Sequence, residues 1–152
     1  MLEDKKVLLY LGSDHAGFQV KAKVREYLKE KGYSVTDLGT FSEESVDYPD
    51  IAREVGEKIL EHDRSFGILI CGTGIGMSIA ANKLRGIRAA LCTSVELATL
   101  AREHNDANII AMGARTQTFE EMKPIMDAFL DGKFSSDNER HVRRVKKLNG
   151  EI

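Results

Sequence analysis

Five short apolar runs recur along the chain, and each is followed by a stretch whose apolar residues return every three or four positions. The first run is KVLLYLGSD, and in the GFQVKAKVREYLKEKG that follows it Val20, Val24, Tyr27 and Leu28 fall on one helical face. YSVTDLG, FGILIC, GIRAALC and ANIIAMG are the others. Pro49 can open the second helix, which Ile51, Val55 and Ile59 stripe, and the segment after FGILIC is Ala-rich. Two further helices open at Thr93 and Thr118, with Glu96 and Glu121 at capping-box spacing, and a last basic helix opens at SDNE. Strand alternating with helix demands parallel pairing, because each helix returns the chain to the end where the next strand must start. The expected fold is α/β, a Rossmann-like three-layer αβα sandwich with a five-stranded parallel sheet and a C-terminal helix, in a single domain over residues 1–152.

In a doubly wound sheet the first and third strands lie side by side where the winding reverses, and ligands bind beyond the strands' carboxyl ends at that point. The loops GSDHAG and CGTGIG should therefore meet, bringing Asp14 and His15 toward Cys71. A free cysteine is most often a small buried hydrophobe, and Cys92, followed by Thr-Ser, fits that description. Cys71 differs, because a thiol at a strand end just before a helix N-terminus faces the positive end of the helix dipole, which favours thiolate. Gly72, Gly74 and Gly76, at alternate positions, let backbone approach a ligand and aim amides, with Thr73 beside them, at developing negative charge. It is not a nucleotide loop. No Lys-Ser/Thr follows for a P-loop, and a dinucleotide fingerprint would follow strand one and place its third glycine where Met77 or Ile79 stands.

Composition narrows the partner. A formal net charge of -2 argues against a general nucleic-acid or membrane surface, and no run approaches the ~20 apolar residues of a membrane span. A chain of 152 residues buries enough surface to fold without disulfides or structural metal. Two cysteines at the ends of apolar runs, with no signal-peptide pattern, fit a reduced, cytoplasmic setting. His62 reads as a surface residue, and the histidines and cysteines lack metal-ligand spacing. His104 and Asn105 in REHNDAN lie between the fourth helix and the fifth strand, where a solvated or capping role is as good a description as a chemical one. Arg140 and Arg144, four apart, share a helical face that suits either a phosphate or solvent.

Taken together, GSDHAG, ESVDYPD, CGTGIGMSIAANK, GIRAAL, REHNDANI and the closing RHVRR resemble the type B ribose-5-phosphate isomerases. That family also holds the galactose-6-phosphate isomerase subunits and the allose-6-phosphate isomerases. The resemblance implies interconversion of ribose 5-phosphate and ribulose 5-phosphate by ring opening and proton transfer through a cis-enediolate, with no metal and no other cofactor. A hexose-6-phosphate isomerase is the alternative, and a non-catalytic phosphosugar-binding module a more distant one. By position, the resemblance makes Cys71 the base that moves the proton between C1 and C2, while Thr73 and the loop of Gly72, Gly74 and Gly76 hold the enediolate. It makes His104, with Asp14 nearby, the acid/base that opens the furanose ring. His15, Arg115, Arg140 and Arg144 then surround the phosphate, Tyr48 and Asn105 contact the sugar, and Ser78 also lies on the substrate. The implied partner is a small sugar phosphate, with no nucleic acid and no membrane. The implied assembly is a homodimer or dimer of dimers with shared sites, the segment of His104, Asn105 and Arg115 reaching in from a neighbouring subunit. Two details set this chain apart within the pattern: Ile75 stands where relatives without the cysteine carry a glutamate, and SSDNE stands before Arg140 where many have Gly-Gly.

Overall fold

The computed structural model describes residues 7–152, and Lys6, at the head of the expected first strand, lies outside them. The apolar runs form β1 (Leu8–Ser13), β2 (Ser34–Asp37), β3 (Ser65–Cys71), β4 (Ala89–Leu91) and β5 (Ile109–Gly113), all paired parallel in one sheet. A 3-10 turn at His15–Gly17 leads into α1 (Phe18–Glu30). The chain then passes through α2 (Tyr48–Glu61), α3 (Ile75–Ala81), α4 (Val95–Asn105), α5 (Phe119–Asp131) and α6 (Glu139–Leu148). Side chains of α1, α4 and α5 pack on one face of the sheet, and those of α2 and α3 on the other. This is the expected Rossmann-like sandwich.

The strands lie in the order β2-β1-β3-β5-β4. β1 sits beside β3, with Leu8 opposite Ser65 and Ser13 opposite Ile70. On its other side β3 has β5 as neighbour rather than β4, with Cys71 opposite Gly113. The runs themselves supply the reason. Ile109–Gly113 is buried along its whole length and suits a central strand, whereas Ala89–Leu91 is short and only partly buried, as befits an edge.

Helix ends follow local chemistry. Thr118 and Glu121 form the expected capping box at α5. At α4 the cap lies one residue later than the Thr93–Glu96 spacing predicts: extended Ser94 precedes the first helical residue, and its Oγ accepts the Leu97 amide at 3.1 Å. Asn138 caps α6 by accepting from the amides of Arg140 and His141.

Val24 and Leu28 of α1 are fully buried, each such side chain contributing about 1.5–3 kcal/mol on removal from water. Lys21 of the same helix is buried too, which an exposed-face pattern does not predict. The free cysteines lie on opposite faces of the sheet, Cys71 against α2 and α3 and Cys92 in the other core. Burial pushes the Cys92 thiol up to about 11. No helix among the described residues is long and apolar enough to cross a membrane.

Candidate active site

β3 ends at Cys71, only 5% exposed, and the chain turns at once toward α3. Sγ of Cys71 accepts the Gly74 amide at 3.1 Å, and Oγ1 of Thr73 accepts the Ile75 amide at 3.2 Å. Gly74 has φ of 83°, and a Cβ there would stand 3.0 Å from the carbonyl carbon of Met112. The left-handed turn and the closeness of β5 both require glycine. A Cβ on Gly76 would meet the Tyr48 ring at 2.6 Å. These glycines therefore answer first to their own chain, and the Gly74 and Ile75 amides are engaged inside the loop. The Gly76 and Met77 amides stand at the start of α3, ahead of its first bond, from the Ser78 amide to the Gly74 carbonyl at 3.0 Å. Ser78 also turns its hydroxyl back onto the Ile75 carbonyl at 3.1 Å.

The loop after β1 reaches the same rim. The Asp14 amide donates to the Ile70 carbonyl at 3.2 Å, and a Cβ on Gly17 would lie 2.8 Å from that oxygen. Asp14 is 7% exposed, and its Oδ1 caps the 3-10 turn by accepting from the amides of Ala16 at 3.0 Å and Gly17 at 3.2 Å. Nδ1 of His15 accepts the Val46 amide at 3.3 Å. Tyr48, at the head of α2, lays its ring over Gly76.

Because β5 adjoins β3, the loop after β5 joins this rim as well. The amides of Ala114 and Arg115 donate to the carbonyls of Cys71 and Gly72, both at 2.8 Å, and a Cβ on Gly72 would lie 3.2 Å from Nη1 of Arg115. Arg115 thus stands with Cys71 of its own chain. That corrects the expectation that it reaches in from a neighbour alongside His104, and the strand order is the reason. Sequence reasoning also misses Gln117 and Gly113. Gln117 is buried, its Oε1 accepting the Gly113 amide at 2.9 Å and its Nε2 donating to the Cys92 carbonyl at 3.1 Å, so it ties the ends of β4 and β5 together. A Cβ on Gly113 would lie 2.6 Å from the carbonyl carbon of Thr73 and 2.7 Å from its Cα. The available signal is a glycine that closes an apolar run immediately before Ala-Arg. Gly113→Ala should displace Thr73, lowering kcat about tenfold or more while the fold survives a loss of about 1–3 kcal/mol; steady-state kinetics and thermal melting check both.

His104 and Asn105 lie elsewhere. α4 starts at the carboxyl end of β4 and runs back to the amino end of β5, so its last turn sits at the opposite rim from Cys71. The length of β5, on the order of 13 Å for five residues, separates the two rims. His104 is exposed and stacks on His141 of α6, ring centroids 4.3 Å apart at 19°. Desolvation, then His104, Arg144 and Arg140, hold the His141 imidazole below its ordinary pKa. Arg140 and Arg144 are exposed on this helix, and Asn105 lines a cleft with Asn82, Arg88 and Leu148. Within one chain the sequence-derived candidates thus form two groups. Asp14, His15, Tyr48, Cys71, Thr73, Ser78, Arg115 and the glycines lie at the carboxyl rim; His104, Asn105, Arg140 and Arg144 lie with the far end of α4 and with α6. Among the described residues no three His, Cys, Asp or Glu side chains are grouped so as to hold a metal ion.

Comparison with known proteins covers both groups. A solved ribose 5-phosphate isomerase from Thermotoga maritima superposes with a TM-score of 0.91 at 52% identity, covering 97% of this chain and 99% of that one. Ribose-5-phosphate isomerase B of Escherichia coli is 44% identical over 137 residues, 90% of this chain and 91% of the relative. Galactose-6-phosphate isomerase subunit LacB of Clostridium acetobutylicum is 36% identical over 144 residues, 93% of this chain and 83% of the relative. Residues 9–148 match the family described as Ribose/Galactose Isomerase, and that span holds the Cys71 loop, Arg115, His104 and the arginines of α6. A match running from β1 to the end of α6 makes the chain a member of the Ribose/Galactose Isomerase family.

Proposed function

We propose that this chain interconverts ribose 5-phosphate and ribulose 5-phosphate. The observation that carries the reading is the agreement with the Thermotoga maritima ribose 5-phosphate isomerase, at 52% identity over 97% of this chain. The carboxyl rim supplies groups suited to that chemistry. Cys71 takes the proton from C2 of the open-chain aldehyde and delivers a proton to C1, while the proton of the C2 hydroxyl passes to the C1 oxygen, so that C2 becomes the ketone and C1 the alcohol. Thr73 and the donors at the start of α3 hold the negative charge of the enediolate between the two steps. Arg115 and His15 take the phosphate, and Tyr48 bounds the sugar.

Ring opening needs a further acid/base, and in the proposal His104 supplies it from a second copy of the chain. Asn105, Arg140 and Arg144 accompany it. Two observations support a shared site. His104 lies on the far rim of its own chain, out of reach of its own Cys71. On α3, which follows the Cys71 loop, Ile75 and Ile79 are each about half exposed, apolar side chains suited to contact with a second copy.

The test is turnover of ribose 5-phosphate in heavy water, beside allose 6-phosphate and galactose 6-phosphate under the same conditions. The expected result is pentose isomerisation faster than hexose isomerisation, with solvent deuterium at C1 of the ribulose 5-phosphate. Turnover without label together with loss of activity on adding a chelator would replace the enediolate by a metal-assisted hydride shift. Turnover of the hexose phosphates alone would move the chain to the galactose branch, represented by the Clostridium acetobutylicum relative.

A further inference from the structure

Lys21 lies in α1 and has no part in the chemistry assigned above, yet it is only 1% exposed. A lysine is seldom buried so completely unless its charge is paired and its donors are used. Both conditions hold. Nζ donates to Oδ1 of Asp37 at 2.6 Å and also to the carbonyl of Thr40, and it stands 5.1 Å from the centre of the Phe41 ring and 5.7 Å from that of Phe18. Oδ1 of Asp37 in turn accepts the Gly39 amide at 2.9 Å. One ammonium therefore fastens the end of β2 and the segment that leaves it.

That segment runs directly to the carboxyl rim. Leu38 donates to the Leu11 carbonyl at 2.8 Å, Ser13 to Gly39 and Thr40 to Ser13 both at 2.7 Å, so residues 38–40 lie along the end of β1 next to Asp14. Six residues after Thr40, Val46 gives its amide to Nδ1 of His15, and Tyr48 then covers Gly76. An Nδ1 that accepts an amide carries no hydrogen of its own, so this contact fixes the imidazole as the Nε2–H tautomer with Nε2 as donor. We propose that Lys21 is a positioning residue: through Asp37 and the Thr40 carbonyl it holds the 38–48 segment so that Val46 sets the tautomer and orientation of His15 and Tyr48 keeps its place over the glycine loop. The link to substrate binding rests on the function proposed above; the link from Lys21 to the His15 ring does not.

The experiment compares wild type, Lys21→Met, and Lys21→Met combined with Asp37→Asn, all with histidine labelled at its ring nitrogens. Nitrogen–proton correlation spectra report the tautomer of each ring, and the His15 signals are assigned with His15→Gln. Wild type should show His15 as a single Nε2–H tautomer. Lys21→Met should convert this to exchange-averaged signals, and should raise KM for ribose 5-phosphate about tenfold or more while kcat changes less than about threefold. The double variant separates positioning from simple stability. With no buried charge left alone it should recover the melting temperature, but the Thr40 carbonyl remains unfastened, so the His15 signals and KM should stay displaced. If Lys21→Met does not fold, the double variant carries the test. An unchanged His15 signature in the variants, or its recovery together with stability in the double variant, would overturn the proposal. If the wild-type protein did not act on ribose 5-phosphate, the reading of the substrate would fall and the ring spectra would still decide the role of Lys21.

Discussion

Replacing Cys71 by alanine should lower kcat for ribose 5-phosphate at least a hundredfold, about 3 kcal/mol of transition-state stabilisation, with KM little changed. The reason is that the proposed proton shuttle acts on the bound sugar without gripping it. From Gly72 to Lys83 the chain carries no Asp or Glu, so the loop offers no carboxylate as a substitute base. The Gly74 amide that now meets the sulfur would lose its partner, but the turn itself is held by the Gly74 backbone and by β5, so the loop should keep its shape. Cys92→Ala is the control. That thiol is in the opposite core and should affect kcat by less than about twofold, whatever it does to stability. Near-normal turnover by the Cys71 variant, measured from initial rates across substrate concentration, would end the assignment of the base.

Mixing two inactive variants should restore activity. Cys71→Ala removes a group from the carboxyl rim and His104→Ala one from the far rim, and the proposal has each site take one rim from each copy. In a two-fold dimer the mixed species would carry both lesions in one site and none in the other. If the chains exchange at random, half of the dimers are mixed and half of their sites are intact, so refolding equal amounts together should give about a quarter of wild-type activity. Each variant refolded alone should stay inactive. Confirmed mixed dimers with no activity above the parents would mean that every site is built within a single chain, and His104 would then need a different task.

Much of the frame is legible in the residues because it depends on local rules. The alternation of apolar runs with helical stripes specifies a parallel sheet, and Thr118 with Glu121 marks a helix start that the backbone obeys. Strand pairing beyond the switch point is not local. That β5 rather than β4 adjoins β3 depends on comparing two distant runs for length and burial, and the meeting of Arg115 with Gly72 follows from that choice. The remoteness of His104 follows from direction alone, since a helix that returns from a carboxyl end must finish at an amino end. Its place between α4 and β5 says as much, provided the topology is drawn out. Lys21 and Gln117 are harder. A lysine early in an amphipathic helix looks solvent-facing until Asp37 and Thr40 are known to sit against it, and a glutamine just after a strand gives no sign that it joins two strand ends. Their partners are brought to them by tertiary folding, and no periodicity records that.

The placing of the two thiols on opposite faces of the sheet has a consequence for exposure to peroxide. A sulfenic acid formed at one cysteine is usually rescued when a nearby thiol attacks it and closes a disulfide. Here the sheet stands between Cys71 and Cys92, and the chain has no third cysteine. An oxidised Cys71 therefore has no resolving partner within its own subunit, and only a thiol from outside can return it to use before further oxidation makes the loss permanent.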